Sequence, residues 1–174
     1  MPTFKTPLAH FILGTRTRNA LIAVAGALVL TATAPASAAD GEEPFNGSFS
    51  GSMAWSSPTT LAWTGAGQAS GLGISQNTAD VLLEPGVPTP CANGVANINT
   101  ETLIAANGDT LVIRMNDVAC PVSPTVLHGT GHWDVVGGTG RFAGMSGHGT
   151  SEGNGDFAAG TFEFTLTGTL SHPN

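Results

Sequence analysis

Residues 131–170 constrain the fold most, because they consist of short alternating stretches separated by glycine-rich turns. In the last of these stretches one face would carry Phe162, Phe164, Leu166 and Leu170, and the other Thr161, Glu163, Thr165, Thr167 and Thr169. A period of two is typical of a half-buried β-strand. The predicted strands here cover residues 132–136, 141–150 and 161–170, and the predicted turns, where glycine can adopt positive φ, residues 137–140 and 153–156.

The preceding part of the chain repeats this pattern. Further strands are predicted over residues 45–55, 59–66, 71–83, 96–105, 110–119 and 125–136. Asn107-Gly108 lies between two of them, and Asn-Gly is the strongest short signal for a β-hairpin. About eight short strands without a helical period indicate a barrel or a sandwich. Because closure removes exposed sheet edges, we predict an all-β fold, a single eight-stranded antiparallel β-barrel.

The N-terminus has the pattern of a secretory signal peptide. Lys5, Arg16 and Arg18 precede an uncharged run over residues 20–34, and Ala-Ser-Ala at residues 36–38 ends it. The run is shorter than the roughly 20 residues that span a membrane, although a retained anchor helix is the alternative. The two arginines are not consecutive and no cysteine follows the cleavage site, which disfavours twin-arginine export and lipid attachment.

We therefore expect a Sec-type signal peptide at residues 1–38 and one secreted, extracellular domain at residues 39–174, without a membrane span. All twelve acidic residues follow the leader, but of the basic residues only Arg114 and Arg141 do, so the formal charge of the mature domain is −10. Such a surface repels phosphate backbones and anionic lipid headgroups, so we expect no nucleic-acid partner. The absence of lysine excludes Schiff-base chemistry there. Arg114 shares a face with Thr110, Val112 and Asn116 and is predicted to point outward.

Cys91 and Cys120 are the only cysteines in the chain. An even pair in a secreted protein is most simply a disulfide, and a reactive thiol is the alternative. Closing this loop should stabilise the fold by about 3–4 kcal/mol according to the chain-entropy description.

Three polar residues, His128, His132 and Asp134, share one face of a predicted strand and are candidate metal ligands. Residues four apart in a strand are separated by about 13 Å, too far for both imidazoles to reach one ion without a bulge. Their face is opposite Trp133, which we expect inside. A solvated outer face is therefore the alternative, and no cofactor is predicted.

Glu101 is the candidate for acid–base chemistry. It alternates with Leu103, and a carboxyl inside the barrel would have a raised pKa suited to proton transfer. The alternative places Glu101 outside, beside Asn97 and Asn99. Residues 144–148 only approach the Gly-x-Ser-x-Gly pattern of hydrolases and lack its strand–turn–helix context.

The aromatic and large aliphatic side chains are predicted to turn inward, including those of Phe45, Trp55 and Phe142. Those predicted to contact a ligand are Phe49, Met53, Trp63, Leu111, Ile113, Met115, Trp133, Phe162 and Phe164. An interior of this composition either packs solidly or leaves an apolar pocket, and both alternatives remain open from the sequence.

Several motifs carry a resemblance to a known family. Residues 138–144 (GTGRFAG) and 147–150 (GHGT), preceded by 105–111 (AANGDTL) and 67–73 (GQASGLG), resemble bacterial secreted proteins with an allene-oxide-cyclase-like barrel. The resemblance covers residues 45–170. It implies an eight-stranded antiparallel barrel related to plant cyclases and dirigent proteins, which bind apolar substrates and steer cyclisation or radical coupling. No stretch matches the Asn- and Glu-bearing motif of the plant cyclases, so no catalytic residue is carried over.

These observations lead to three functional expectations. The first is a secreted barrel that binds a small apolar molecule or serves as a non-catalytic extracellular module. The second is a barrel cyclase or isomerase, and the third is a structural or adhesive extracellular protein.

Overall fold

The computed structural model describes residues 41–173, so the predicted signal peptide lies outside the described residues. The strands are β1 (Glu42–Ser57), β2 (Thr60–Ala69), β3 (Gly73–Glu84), β4 (Val95–Ala105), β5 (Thr110–Pro121), β6 (Val126–Gly138), β7 (Ser146–Asp156) and β8 (Thr161–Ser171). Each strand pairs antiparallel with its neighbours in sequence, and β1 also pairs with β8. The predicted eight-stranded antiparallel barrel is thereby confirmed. Within the described part, no helix is both long and apolar enough to cross a membrane.

Alternate side chains of the strands meet inside the barrel, as the period of two predicts. On β8 the predicted inward residues Phe162, Phe164, Leu166 and Leu170 are all buried. Phe45 and Phe49 of β1 pack with them, together with Leu103, Leu111, Ile113 and Met115 of β4 and β5. These residues form one continuous core along the barrel axis.

Trp133 of β6 is the largest fully buried side chain, and two glycines make its position possible. Its ring packs edge-on against Phe45, with centroids 5.4 Å apart, and its Nε1 donates to the Thr150 carbonyl at 3.1 Å. A Cβ at Gly149 would lie 2.7 Å from the indole, and one at Gly168 would lie 2.6 Å from it. Glycine at these positions leaves the volume that the indole occupies.

The predicted strand over residues 141–150 is wrong in its first half. Gly140–Phe142 form a 3₁₀ turn, and β7 begins only at Ser146. Phe142 is 3% exposed and joins Leu72 and Met145 in the core, covering one end of the barrel. Burial of this aromatic side chain and the hydrogen bond from the Arg141 amide to Asp109 favour a cap over a continuous strand.

The predicted turn at residues 153–156 is also wrong, because these residues complete β7. The chain turns at residues 157–160 instead, where Asp156 Oδ1 accepts hydrogen bonds from the amides of Ala158 and Ala159 and Gly160 has a φ of +66°. A Cβ at Gly153 would lie 2.6 Å from the Cβ of Phe164. Glycine therefore serves close packing at this position rather than a turn.

Trp55 was expected inside but is 55% exposed. The register of β1 and β2 shifts between Trp55 and Ser57, at the end of the barrel opposite the Phe142 cap. The indole lies beyond the core and packs against Phe157, with ring centroids 6.0 Å apart.

The predicted disulfide is confirmed. Cys91 lies in the loop between β3 and β4, Cys120 lies near the end of β5, and their Cα atoms are 6.0 Å apart. The bridge ties the loop between β3 and β4, which contains Pro85, Pro88 and Pro90, to the barrel wall at the end opposite Phe142.

Candidate functional site

The end of the barrel opposite the Phe142 cap contains a pocket of about 70 Å³ that opens to solvent. This is several times the roughly 15 Å³ that one water molecule needs. Its apolar walls come from Met53, Leu61, Trp63, Val81, Leu83, Val95, Met115, Ala119, Leu127, Phe157 and Phe164. The pocket lies where the strands of the barrel end, above the packed core.

Aromatic rings dominate one side of the interior. Trp63 of β2 stacks on Phe162 of β8, with ring centroids 4.5 Å apart and planes inclined by 14°. Phe164 lies beside both rings, 5.9 Å from Phe162 and 6.2 Å from Trp63. Such stacked rings offer a flat apolar surface to a ligand.

The wall across from β8 is polar. On β4 the inward face carries Asn97, Asn99 and Glu101, and Asn77 of β3 lies beside it; all four are buried. The alternative that placed Glu101 outside with Asn97 and Asn99 is therefore wrong. The lumen has one polar side on β3–β5 and one aromatic side on β8 and β2.

Glu101 is fully buried, with 0% of its surface exposed. Asn77 Nδ2 donates to its Oε1 at 2.6 Å. Burial raises the pKa of Glu101 to about 7, although the Asn77 hydrogen bond and the neighbouring Asn99 amide favour the charged form. The carboxyl can therefore hold or release a proton near neutral pH.

Several polar atoms around Glu101 have no hydrogen-bond partner among residues 41–173. They are Oε2 of Glu101, Oδ1 of Asn77, both amide atoms of Asn99 and Nε1 of Trp63. Buried polar atoms are normally satisfied, so a cluster of unpaired ones identifies a place suited to a bound polar group or water.

Asp117 of β5 is a second inward carboxyl, and it lines the open pocket itself. Ser151 Oγ of β7 donates to Asp117 Oδ1, across the position of Gly131 on the intervening strand. Burial raises the pKa of Asp117 above its ordinary value, against the hydrogen bond from Ser151 and the nearby His132. Sequence reasoning missed Asp117, although it continues the inward face of Met115.

The predicted ligand-contacting residues divide into two groups. Met53, Trp63, Met115 and Phe164 line the pocket. The remaining five, Phe49, Leu111, Ile113, Trp133 and Phe162, are buried in the core.

The histidine group lies on the outer face. His128 is half-buried, with Nδ1 3.0 Å from Asn154 Oδ1 and Nε2 3.6 Å from Glu152 Oε1. His132 and Asp134 are exposed on the same face of β6, with Arg114 of β5 opposite Asp134. Within residues 41–173 no group of three or more histidine, cysteine or acidic side chains is placed to hold a metal ion.

Comparisons with known proteins identify no relative. No family model matches the chain, and searches of curated proteins and of solved structures find no match either.

Proposed function

We propose that this protein binds a small, largely apolar molecule in the open end of its barrel. The observation that carries this proposal is the solvent-connected pocket, whose walls are apolar apart from a few polar groups such as Asn97 and Asp117. That composition is usual for small-molecule sites. We also propose that the protein is exported, because the Cys91–Cys120 disulfide fits an oxidising compartment.

A pocket-filling variant tests this proposal. Gly129 of β6 lines the pocket, and a Cβ built there meets no atom within 4 Å. Leucine would extend into the empty volume, so Gly129→Leu should weaken binding of the neutral apolar fluorophore N-phenyl-1-naphthylamine roughly tenfold or more. The measurement is a fluorescence titration.

Gly137→Leu is the matched control, because Gly137 lies on the same strand away from the pocket and its Cβ would meet only Val112, at 3.8 Å. This variant should bind the fluorophore like the parent protein. Equal affinities of the Gly129 variant and the parent would contradict the proposal. Absence of saturable binding by the parent would also contradict it and would favour the structural or adhesive role.

Glu101 favours a second candidate function, an isomerase or cyclase. Its buried carboxyl has a pKa of about 7, which suits a general acid or base at neutral pH. The resemblance to allene-oxide-cyclase-like barrels suggests an unsaturated epoxide as the substrate class. Asn97, which lies on the same inward face of β4 as Glu101, lines the pocket.

The test compares turnover of an allene oxide by the parent protein and by Glu101→Gln. Glutamine retains an oxygen that can accept the Asn77 hydrogen bond but cannot exchange a proton, so turnover should fall by about 100-fold or more while fluorophore binding persists. Cyclisation at the uncatalysed rate with the parent protein would contradict this second function.

A further inference from the structure

The charged side chains among the described residues that line the pocket are all acidic. Among the described residues that line it, none is lysine, arginine or histidine, whereas Asp117 lies on its wall, and the exposed Glu152 and Glu163 border it from the outer face of the barrel. Arg114 is exposed on the outer face of β5. Arg141 is at the capped end, with its Nε 4.0 Å from Asp109. A ligand in the pocket therefore meets the inward carboxyl of Asp117, and none of the side chains that line the pocket is basic.

Asp117 has capacity to bind a ligand. A carboxylate offers about four acceptor positions, and the hydrogen bond from Ser151 uses one of them. Its register partner on β4 is Asn97, which also lines the pocket and carries both a donor and an acceptor. Together these two side chains form a polar patch on an apolar wall.

The aromatic side of the pocket favours the same kind of ligand. Trp63 and Phe164 both line it, and aromatic faces attract cationic groups. An anionic headgroup would instead be desolvated next to Asp117, and like charges placed together are strongly disfavoured.

We propose that the ligand of this pocket is an apolar molecule with a hydrogen-bond donor at one end, an ammonium or a hydroxyl group held by Asp117, and that carboxylate amphiphiles are rejected. This inference rests on the proposed binding function and specifies its ligand class. It predicts the order of affinity among molecules with the same apolar body.

Three probes of equal chain length test this order of affinity: octylamine, 1-octanol and octanoate. The measurement is the displacement of N-phenyl-1-naphthylamine by each probe at pH 7.5 and low salt. Octylamine should bind most tightly and octanoate most weakly, with at least about a tenfold difference between them. Octanoate binding as tightly as octylamine would overturn the ligand class but leave the pocket function intact. Failure of the parent protein to bind the fluorophore would overturn both.

The variant Asp117→Asn tests whether the Asp117 carboxyl causes this order of affinity. Asparagine retains an oxygen for Ser151 but removes the charge, so octylamine should lose about tenfold in affinity while 1-octanol changes little. Asp80→Asn, an exposed change on the outer face of β3, removes the same charge far from the pocket and should leave the order unchanged. Unaltered octylamine affinity in the Asp117 variant would contradict the assignment, and the probe series on the parent protein tests the ligand class by itself.

Discussion

The variant Glu101→Gln is expected to be more stable than the parent protein at pH 8, by about 3 kcal/mol. The fold raises the pKa of this carboxyl from 4.5 to about 7, because burial disfavours the charged form. Above pH 7 the parent protein must hold a buried negative charge, whereas glutamine stays neutral. Glutamine also preserves an acceptor for Asn77, so the gain should not be offset by a lost hydrogen bond.

The pH dependence of the free energy of unfolding follows from proton binding at Glu101. Between pH 4.5 and about 7, the folded protein holds a proton on Glu101 that the unfolded chain has released. The free energy of unfolding should therefore fall as the pH rises through this window and level off above it. Asp117 contributes in the same direction, because its pKa is also raised in the fold.

Urea unfolding between pH 4 and 8.5 measures this effect. The difference between the parent protein and Glu101→Gln should grow through the window, and parallel profiles would contradict the burial of a protonated carboxyl. Glu163→Gln, an exposed change on the outer face of β8, should leave the parent profile in place.

Gly149→Val should be among the most destabilising single changes, lowering the free energy of unfolding by about 3 kcal/mol or more. A Cβ at Gly149 would lie 2.7 Å from Cε2 and Cζ2 of Trp133, which is itself fully buried and hydrogen-bonded. The barrel wall and the indole cannot both remain in place. Urea unfolding of the purified variant, or its failure to fold, is the measurement.

Gly129→Val is the matched comparison, because the same substitution there enters open space. It should cost far less stability than Gly149→Val, and equal losses at the two positions would contradict the packing explanation. Adding Trp133→Ala to Gly149→Val should cost less than the sum of the two single changes, because the alanine removes the contact with the indole and leaves the contact with the Thr167 carbonyl oxygen.

Much of the fold could be predicted because the hydrophobic alternation is strong where the strands face the core. Phe162, Phe164 and Leu166 occupy the face that their spacing indicates, and the barrel follows from the number of such strands. The errors in the predicted strand and turn boundaries arose in glycine-rich segments, whereas Trp55 lies outside the core because the register shifts beside it. The sequence pattern alone does not distinguish a glycine that turns the chain from one such as Gly153, which allows the neighbouring strand to approach closely.

The candidate site was harder to predict because β4 departs from the usual arrangement, in which polar side chains point outward and apolar ones inward. Its inward face carries Asn97, Asn99 and Glu101, whereas Ile98 and Ile104 lie on its outer face and are half-buried. Alternation alone therefore left the direction of Glu101 open. Only the register with β3 and β5, set by all the strands together, brings this carboxyl inside.

Phe142 covers the end of the barrel that lies opposite the pocket. A ligand of the pocket beside Asp117 and Asn97 enters from the opposite end, so the part that enters first contacts these side chains and the remainder of a longer ligand lies in solvent. The pocket should then discriminate between ligands by the chemical group that enters first. Ligands that differ only in the length of the part left in solvent should bind with similar affinity.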